Sequence, residues 1–248
     1  MEPRLPAVPK ATAGLSQPID LFVNDYFKKN KIAWPKSVDD KTYIRRVYLD
    51  VTGLLPSPEN ILAFAKDTHP NKREILVDRL LANNEGYAQH WLTFWNDLLR
   101  NDYSGTGFIT GGRKQISKWL YDSLIHNKPA DQMARELIAP PGDESRGFIE
   151  GIKWRGDVSA GQTTEIQFAQ SVSQSFLGIN MKCASCHDSF IDRWKLDEAY
   201  GLAAIFSTRP LEIARCDKPT GRLAQASWLF PELGQVDPKA TQPERLKQ

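Results

Sequence analysis

Apolar residues recur along this chain at intervals of three and four, the spacing that lines one face of a helix. Ile19, Phe22, Val23, Tyr26 and Phe27 predict a first amphipathic helix, which Trp34-Pro35-Lys36-Ser37 breaks. A second is expected from about Asp39 to Val51, carrying Tyr43, Val47, Leu49 and Val51, with Gly53 ending it. Ser57 as N-cap, Pro58 in the first helical position and Glu59 in the first turn start a third. It carries Ile61, Leu62, Ala63, Phe64 and Ala65 and stops before Pro70. A fourth, Asn71 to Leu81, is expected to turn Ile75, Leu76, Leu80 and Leu81 inward. A longer aromatic helix follows near Glu85 to Arg100, with Tyr87, Trp91, Phe94, Trp95, Leu98 and Leu99. That stripe reads as core, and it could also border a flat cofactor. Asn101 to Gly112 is a Gly-rich loop and lacks the Gly-Lys-Ser/Thr of a phosphate-binding loop.

The same period resumes from about Lys114 to His126, with Ile116, Trp119, Leu120, Leu124 and Ile125 inside. Pro129 and Asp131 open a helix carrying Met133, Leu137 and Ile138, closed by Pro140-Pro141-Gly142-Asp143. Residues 142–162 are Gly-rich without a helical period and are expected to form an irregular excursion, with a short hairpin. Their Arg155-Gly156-Asp157 triplet is a frequent chance sequence. From Thr163 a helix with Ile166, Phe168, Ala169, Val172, Phe176 and Leu177 leads toward a cysteine motif. Trp194 and a turn over Glu198–Ile205 are expected to wrap its far side. After Phe206 the chain reads as Pro-rich and irregular, and Gln242-Pro243-Glu244 looks like a helix start cut short, as though the polypeptide continued. The expected fold is mainly α: a single helical domain of about eight helices. It would comprise a flexible arm over 1–17, a helical domain over 18–210 and an irregular extension over 211–248 leading into a further domain. No internal repeat is visible.

The motif is Cys183-Ala184-Ser185-Cys186-His187, the Cys-x-x-Cys-His spacing that attaches a c-type haem. Two thiols separated by two residues add to two vinyl groups on one porphyrin edge, and the adjacent imidazole ligates the iron from below. The same cysteines could instead be half of a zinc site or a redox disulfide. Zinc requires two more ligands. A second Cys-x-x-Cys or a His-x-x-x-His is missing, leaving Cys216, His69, His90 and His126 scattered along the chain. A thioredoxin-like motif belongs after a strand in a βαβ pattern, which this region lacks. One covalent haem c is the preferred reading. Arg193, Arg155 and Lys195 are candidates to pair with haem propionates. Asp188 and Asp192 read as helix-capping or solvated carboxylates, with hydrogen bonding to the His187 ring as the functional alternative.

Composition narrows the setting. The chain has 248 residues, 25% charged and 41% hydrophobic, which is ordinary for a globular protein. A net charge of +2 with interspersed signs gives no nucleic-acid footprint. No run of about 18 apolar residues predicts a membrane span. Met1 to Pro9 holds three prolines and no apolar secretory core. Haem is attached covalently outside the cytoplasm, so a trimmed or mature exported chain, periplasmic or beyond, is expected. Three cysteines, two of them in the motif, argue against a disulfide-stapled fold.

Several blocks carry a family resemblance. Tyr43-Ile44-Arg45-Arg46-Val47-Tyr48-Leu49-Asp50-Val51-Thr52-Gly53-Leu54 with Pro56-Ser57-Pro58-Glu59 is one, and Leu76-Val77-Asp78-Arg79-Leu80-Leu81-Ala82 running into Tyr87 and Trp91 is another. Asn127-Lys128-Pro129 with Asp131-Gln132 follows. Phe176-Leu177-Gly178 before the cysteine motif, then Tyr200-Gly201-Leu202-Ala203-Ala204-Ile205-Phe206 and Trp228-Leu229-Phe230-Pro231-Glu232, complete the set. Together they resemble the planctomycete-type cytochrome-c-like domain catalogued as a domain of unknown function. The resemblance implies an exported haem protein, often joined to further domains. Family members frequently carry a second His two residues past the haem His and another at the place of Phe94. Here the first place is Ser189, so both imidazoles are missing.

The sixth iron position is therefore open to assignment. A Met or His there makes an electron-transfer cytochrome, and an empty position makes a reactive site. Met181 is too near Cys183 to reach the opposite face, Met1 is terminal, and Met133 reads as core. His126 reads as a charge partner for its helix end and His69 as a solvated loop residue. Cys216 reads as a lone thiol. His90 is the distal candidate, with His187 proximal; Cys183, Cys186, Arg193 and Trp194 complete the expected haem contacts. The leading expectation is a monohaem cytochrome passing single electrons in the cell envelope to a redox partner protein or a further domain. The alternatives are a peroxidase- or oxygenase-like haem enzyme, and an envelope binding module stapled by haem in which some of the seven tryptophans stack on sugars.

Overall fold

The computed structural model describes residues 6–12, 14–101 and 114–248. Met1 and the expected loop beyond Asn101 lie outside the described residues. The protein is mainly helical, with one small two-stranded sheet among the described residues. It divides into two compact units, one made of residues up to Arg46 and Pro56–Thr68, the other of Val47–Leu55 and His69–Gln248.

The first unit contains α1 (Pro18–Lys29), the start of α2 (Asp40–Thr52) and α3 (Pro58–Lys66). Pro18 opens α1, Asp20 sits in its first turn and Lys28 and Lys29 in its last, each placed where the helix dipole favours it. Ser57 caps α3 as expected, its Oγ accepting the Asn60 N–H at 3.2 Å. Leu21, Ile44 and Phe64 are buried, and the Phe64 ring stacks on Tyr43. Past α1, Trp34 donates its Nε1–H to Asn24 and sets its ring edge-on to Phe27.

The second unit holds α4 (Lys72–Leu81), α5 (Asn84–Leu98), α6 (Ser117–Ile125), α7 (Ala130–Ile138), α8 (Gly147–Glu150), α9 (Thr164–Leu177), α10 (Leu196–Phe206) and α11 (Gln242–Arg245). Its core joins Ala88, Leu120, Leu137, Ile166, Val172, Trp194 and Leu202. In α4 the buried face is narrower than expected. Leu76 and Leu80, one turn apart, are buried, while Ile75 and Leu81 flank them and stand half exposed. Phe94 is likewise on the outer side of α5, and Met133 and Met181 are in the core.

Three stretches depart from expectation, the first being the turn expected over Glu198–Ile205, which is the helix α10. Residues 142–162 form no described hairpin; they make α8 and a 3₁₀ turn over Ala160–Gln162. The hairpin lies instead in the tail expected to be irregular, where β1 (Glu212–Arg215) pairs antiparallel with β2 (Lys218–Leu223). Its sequence, with Pro219 and Gly221 inside β2 and no period-two pattern of burial, carries little strand signal. The tail also contributes buried Leu229 and Phe230 to the core.

The pair that positions the motif is α9 and α10. Phe168 stacks on Phe206, with ring centroids 5.0 Å apart, tying the start of α9 to the end of α10. Gly178 ends α9 at φ +65, a left-handed cap that a side-chain-bearing residue adopts only at a cost. Gly201 lets the returning tail touch α10: a Cβ there would sit 2.2 Å from Ser227 Oγ. No helix among the described residues is long and apolar enough to cross a membrane.

Candidate functional site

Between α9 and α10 the chain makes one helical turn at the motif. The Cys186 and His187 N–H groups both donate to the Cys183 carbonyl at 3.1 Å, and the Ser185 N–H donates to Met181 at 2.9 Å. Cys183, Cys186 and His187 therefore stand at i, i+3 and i+4, the spacing that puts three side chains on one face of a turn. The intervening residues point the other way. Ala184 and Ser185 are buried, and the Ser185 hydroxyl donates to the Met181 carbonyl at 2.8 Å and accepts from Gln170 Nε2 at 2.9 Å. The turn is thus fastened to α9 by its inner side and presents two free, half-exposed thiols and an imidazole outward.

The imidazole is held in a defined tautomer. His187 Nδ1 lies 2.7 Å from the Asp188 carbonyl oxygen, which can only accept, so Nδ1 carries a proton and Nε2 is the nitrogen that has the lone pair in the neutral ring. The Asp188 carboxylate does other work: it accepts the Leu196 N–H at 3.0 Å at the start of α10 and pairs with Lys195 at 3.6 Å. The Leu196 bond, with help from Lys195, holds its carboxyl below the ordinary range. The capping role read from sequence is borne out, and the ring contact runs through the main chain. Phe190, 87% exposed, lies against His187 with centroids 4.5 Å apart, and Ile191 beside it is 85% exposed. Two large apolar side chains so open to water, next to free thiols, mark a surface suited to contact with something apolar.

The remaining expected contacts are spread out. Trp194 is fully buried, edge-on to Phe230, with the Arg193 guanidinium 4.2 Å over its ring centroid and no hydrogen-bond partner for its Nε1 among the described residues. The Trp154 indole nitrogen, next to Arg155, is another buried donor without a partner among the described residues. Asp192 accepts its neighbour's N–H. His90 sits on α5 with its ring edge-on to Trp91 and so close to Gly53 that a Cβ there would lie 2.2 Å from Nδ1. His126 caps the end of α6 through the Asp122 carbonyl, as its helix-end reading anticipated, and His69 accepts the Asn71 N–H.

Sequence reasoning missed Cys216. It occupies the tip of the β1–β2 hairpin with Asp217, both at positive φ (47 and 66), as a two-residue I′ loop requires. The tip rests on the motif: the Cys216 N–H donates to the Cys186 carbonyl at 2.9 Å, and the Cys216 Sγ lies 3.8 Å from the same oxygen. Burial, then the hydrogen-bonding Cys216 thiol, push the Cys186 thiol above its ordinary range. Asp217 is tied to the excursion by the Ala160 N–H at 2.7 Å, and Gln170 Nε2 bridges the Gly161 carbonyl to Ser185. The excursion therefore does lie beside the motif, as expected. Nothing local announces the tip; Cys-Asp lacks the Asn-Gly signature of such turns.

Among the described residues, no three His, Cys, Asp or Glu side chains converge as a metal cage. A cavity of about 790 Å³ is lined by α7, α9, α10 and the tail, including Phe168, Val172, Leu202, Ile205, Trp228 and Leu246, and takes no residue from the motif. Phe168 and Val172 lie on the side of α9 opposite Gln170, so cavity and motif occupy different faces of that helix.

Fold and site define the class: a mainly helical protein built around an outward-facing Cys-x-x-Cys-His turn. The chain belongs to the PSCyt2 family, described as a protein of unknown function (DUF1549), which it matches over residues 18–210. No curated protein and no solved structure matches it.

Proposed function

We propose that this protein is a c-type cytochrome domain that carries one covalent haem and passes single electrons in the cell envelope. The observation that carries the reading is the shared face of Cys183, Cys186 and His187. The residues fit the group. Two free thiols flank an inward-anchored pair, and the Asp188 carbonyl leaves His187 Nε2 as the unprotonated nitrogen a metal needs. Cys183 and Cys186 would hold the macrocycle by thioethers and His187 would ligate the iron. Arg193 offers a propionate partner, and Trp194 is the fully buried wall behind it. When bound, the haem iron supplies a one-electron ferric/ferrous couple. The exposed Phe190 and Ile191 would be shielded by the bound group or by a redox partner.

His90 remains the candidate for the sixth position. Its ring packs on Gly53 and edge-on to Trp91, and among the described residues no hydrogen bond or ring contact joins it to the motif, which favours a second reading. In that reading the sixth position is open and the protein is a peroxidase- or oxygenase-like enzyme.

The test is an optical spectrum of protein matured with haem-attachment factors, ferric and dithionite-reduced, with and without carbon monoxide. Covalent haem with a low-spin spectrum indifferent to carbon monoxide, turning high-spin in His90→Ala, is the expected result. A carbon-monoxide-sensitive spectrum in the parent protein moves the assignment to the enzyme reading. No Soret band after maturation removes haem altogether.

A further inference from the structure

Two cysteines far apart in the chain meet at one point. The Cys216 N–H to Cys186 carbonyl bond of 2.9 Å is a main-chain bridge between them. Such a bond brings the two residues' backbones into contact, and a disulfide closes where Cα atoms stand roughly 4.4–6.8 Å apart. The Cys216 thiol lies over the same peptide group, its Sγ 3.8 Å from the Cys186 carbonyl oxygen. The hairpin is held on both sides, by α10 packing against β1 and by the Ala160 N–H on Asp217. Neither tip residue is glycine, yet both sit in the left-handed region, a conformation that persists only where its surroundings over-determine it.

We propose that Cys186 and Cys216 form a reversible disulfide in the chain before haem is attached, a modification site that masks one of the two attachment thiols. The disulfide stands on the geometry alone; its masking role rests on the haem reading above. Cys216 is exposed and Cys186 half-buried, so an incoming disulfide of a thiol oxidoreductase or of glutathione meets Cys216 first. The Cys216 thiolate attacks one sulfur of that disulfide and releases the other as a thiolate, leaving a mixed disulfide on Cys216. The Cys186 thiolate then attacks the Cys216 sulfur and expels the second thiolate. Two cysteine thiols lose two electrons, the reagent disulfide gains them, and the two protons pass to the released thiolates. A dithiol reductant runs the steps backward. While the bond stands, Cys186 has no thiol to add to a vinyl group.

The experiment uses the full chain without haem, equilibrated with oxidised glutathione, alkylated and digested with trypsin. Cleavage after Lys182, Arg193, Arg215 and Arg222 places Cys183 and Cys186 on one peptide and Cys216 on another. The expected product joins the two peptides, with fragmentation between Ala184 and Ser185 assigning Cys186. It disappears in Cys216→Ser and on reduction with dithiothreitol. An oxidised 183–193 peptide with no cross-link, a bond from Cys216 to Cys183, or glutathione adducts alone would overturn the disulfide. Maturation with haem-attachment factors under limiting dithiol tests the masking. Haem loading is expected to drop in the parent chain and hold in Cys216→Ser; equal loading overturns the masking role. A cross-link in a chain that takes up no haem in either form would sink the haem reading and leave the disulfide standing.

Discussion

The motif turn and the hairpin tip each deliver a cysteine to the same spot, and they do so by opposite routes. The turn is local. Cys183, Cys186 and His187 share a face because of their spacing, and Ala184 and Ser185 fasten that face from behind. The tip is remote, bringing Cys216 across 30 positions to the Cys186 carbonyl by strand pairing and by contacts with α10 and Ala160. A site of this kind is half written in a motif and half in topology. The two halves should also respond differently to mutation, the turn through packing and the tip through backbone conformation.

The largest effect is expected at Ala184, which is completely buried. Ala184→Leu forces extra carbons behind the turn and should cost about 3 kcal/mol, the upper end of ordinary overpacking. Denaturant unfolding of the haem-free chain measures it, and a cost within error of zero would mean the turn is not anchored from its inner side. Ser185→Ala comes next. It removes the bond to the Met181 carbonyl and leaves Gln170 Nε2 short of an acceptor, for about 1–2 kcal/mol in the same measurement. A loss at Ser185 larger than at Ala184 would reverse the order of packing over polar anchoring.

What was legible in the sequence follows the same division. Most helices were, because period, Pro58 and the Ser57 cap are local signals, and their boundaries agree to within a few residues; α8, and α10 read as a turn, were not. The thiols and imidazole of the turn were, because their spacing is their geometry. The inner face of α4 was read too wide, since three or four apolar residues per two turns do not say which of them a neighbour will cover. The hairpin was not legible at all: β2 is exposed along its length, and what stabilises it is a tip whose partners lie elsewhere in the chain. Cys216 looked like a lone thiol because the contact that gives it a role is long-range.

The tip gives the opposite sign of effect. Cys216→Gly removes a side chain from a left-handed position, φ 47, while the N–H to Cys186 remains. It should stabilise the haem-free reduced chain by no more than about 1 kcal/mol, since relief of strain is partly offset by a freer unfolded state. Asp217→Gly relieves the same kind of strain but loses the bond from Ala160, so the two variants should separate, with Cys216→Gly the more stable. If Cys216→Gly is the less stable of the pair, the thiol rather than the backbone holds the tip.

The smallest effect lies where the turn meets α10, and it depends on pH. Hydrogen bonding from Leu196, then attraction to Lys195, lowers the Asp188 pKa in the folded protein from its ordinary value of 3.8. A carboxyl whose folded pKa is depressed stabilises the fold in its ionised form. The contribution is fully present above the unfolded value and fades as pH falls through the folded one. Thermal melts of the parent chain and Asp188→Asn should therefore differ at neutral pH, with the parent higher, and converge only as pH falls below 3.8 and on through the lower folded value, where Asp188 is neutral in both states. The carboxylate is exposed, so the gap at neutral pH will be small and will shrink further in high salt if the Lys195 pair contributes to it. Because Asp188 also presents the carbonyl that holds His187 Nδ1, and asparagine keeps that carbonyl, the variant should leave the tautomer of His187 unchanged. Nitrogen-15 chemical shifts of the ring would show this directly: an unchanged Nδ1–H pattern separates capping of α10 from orientation of the imidazole, and a changed one means the two functions of Asp188 are coupled through the carboxylate.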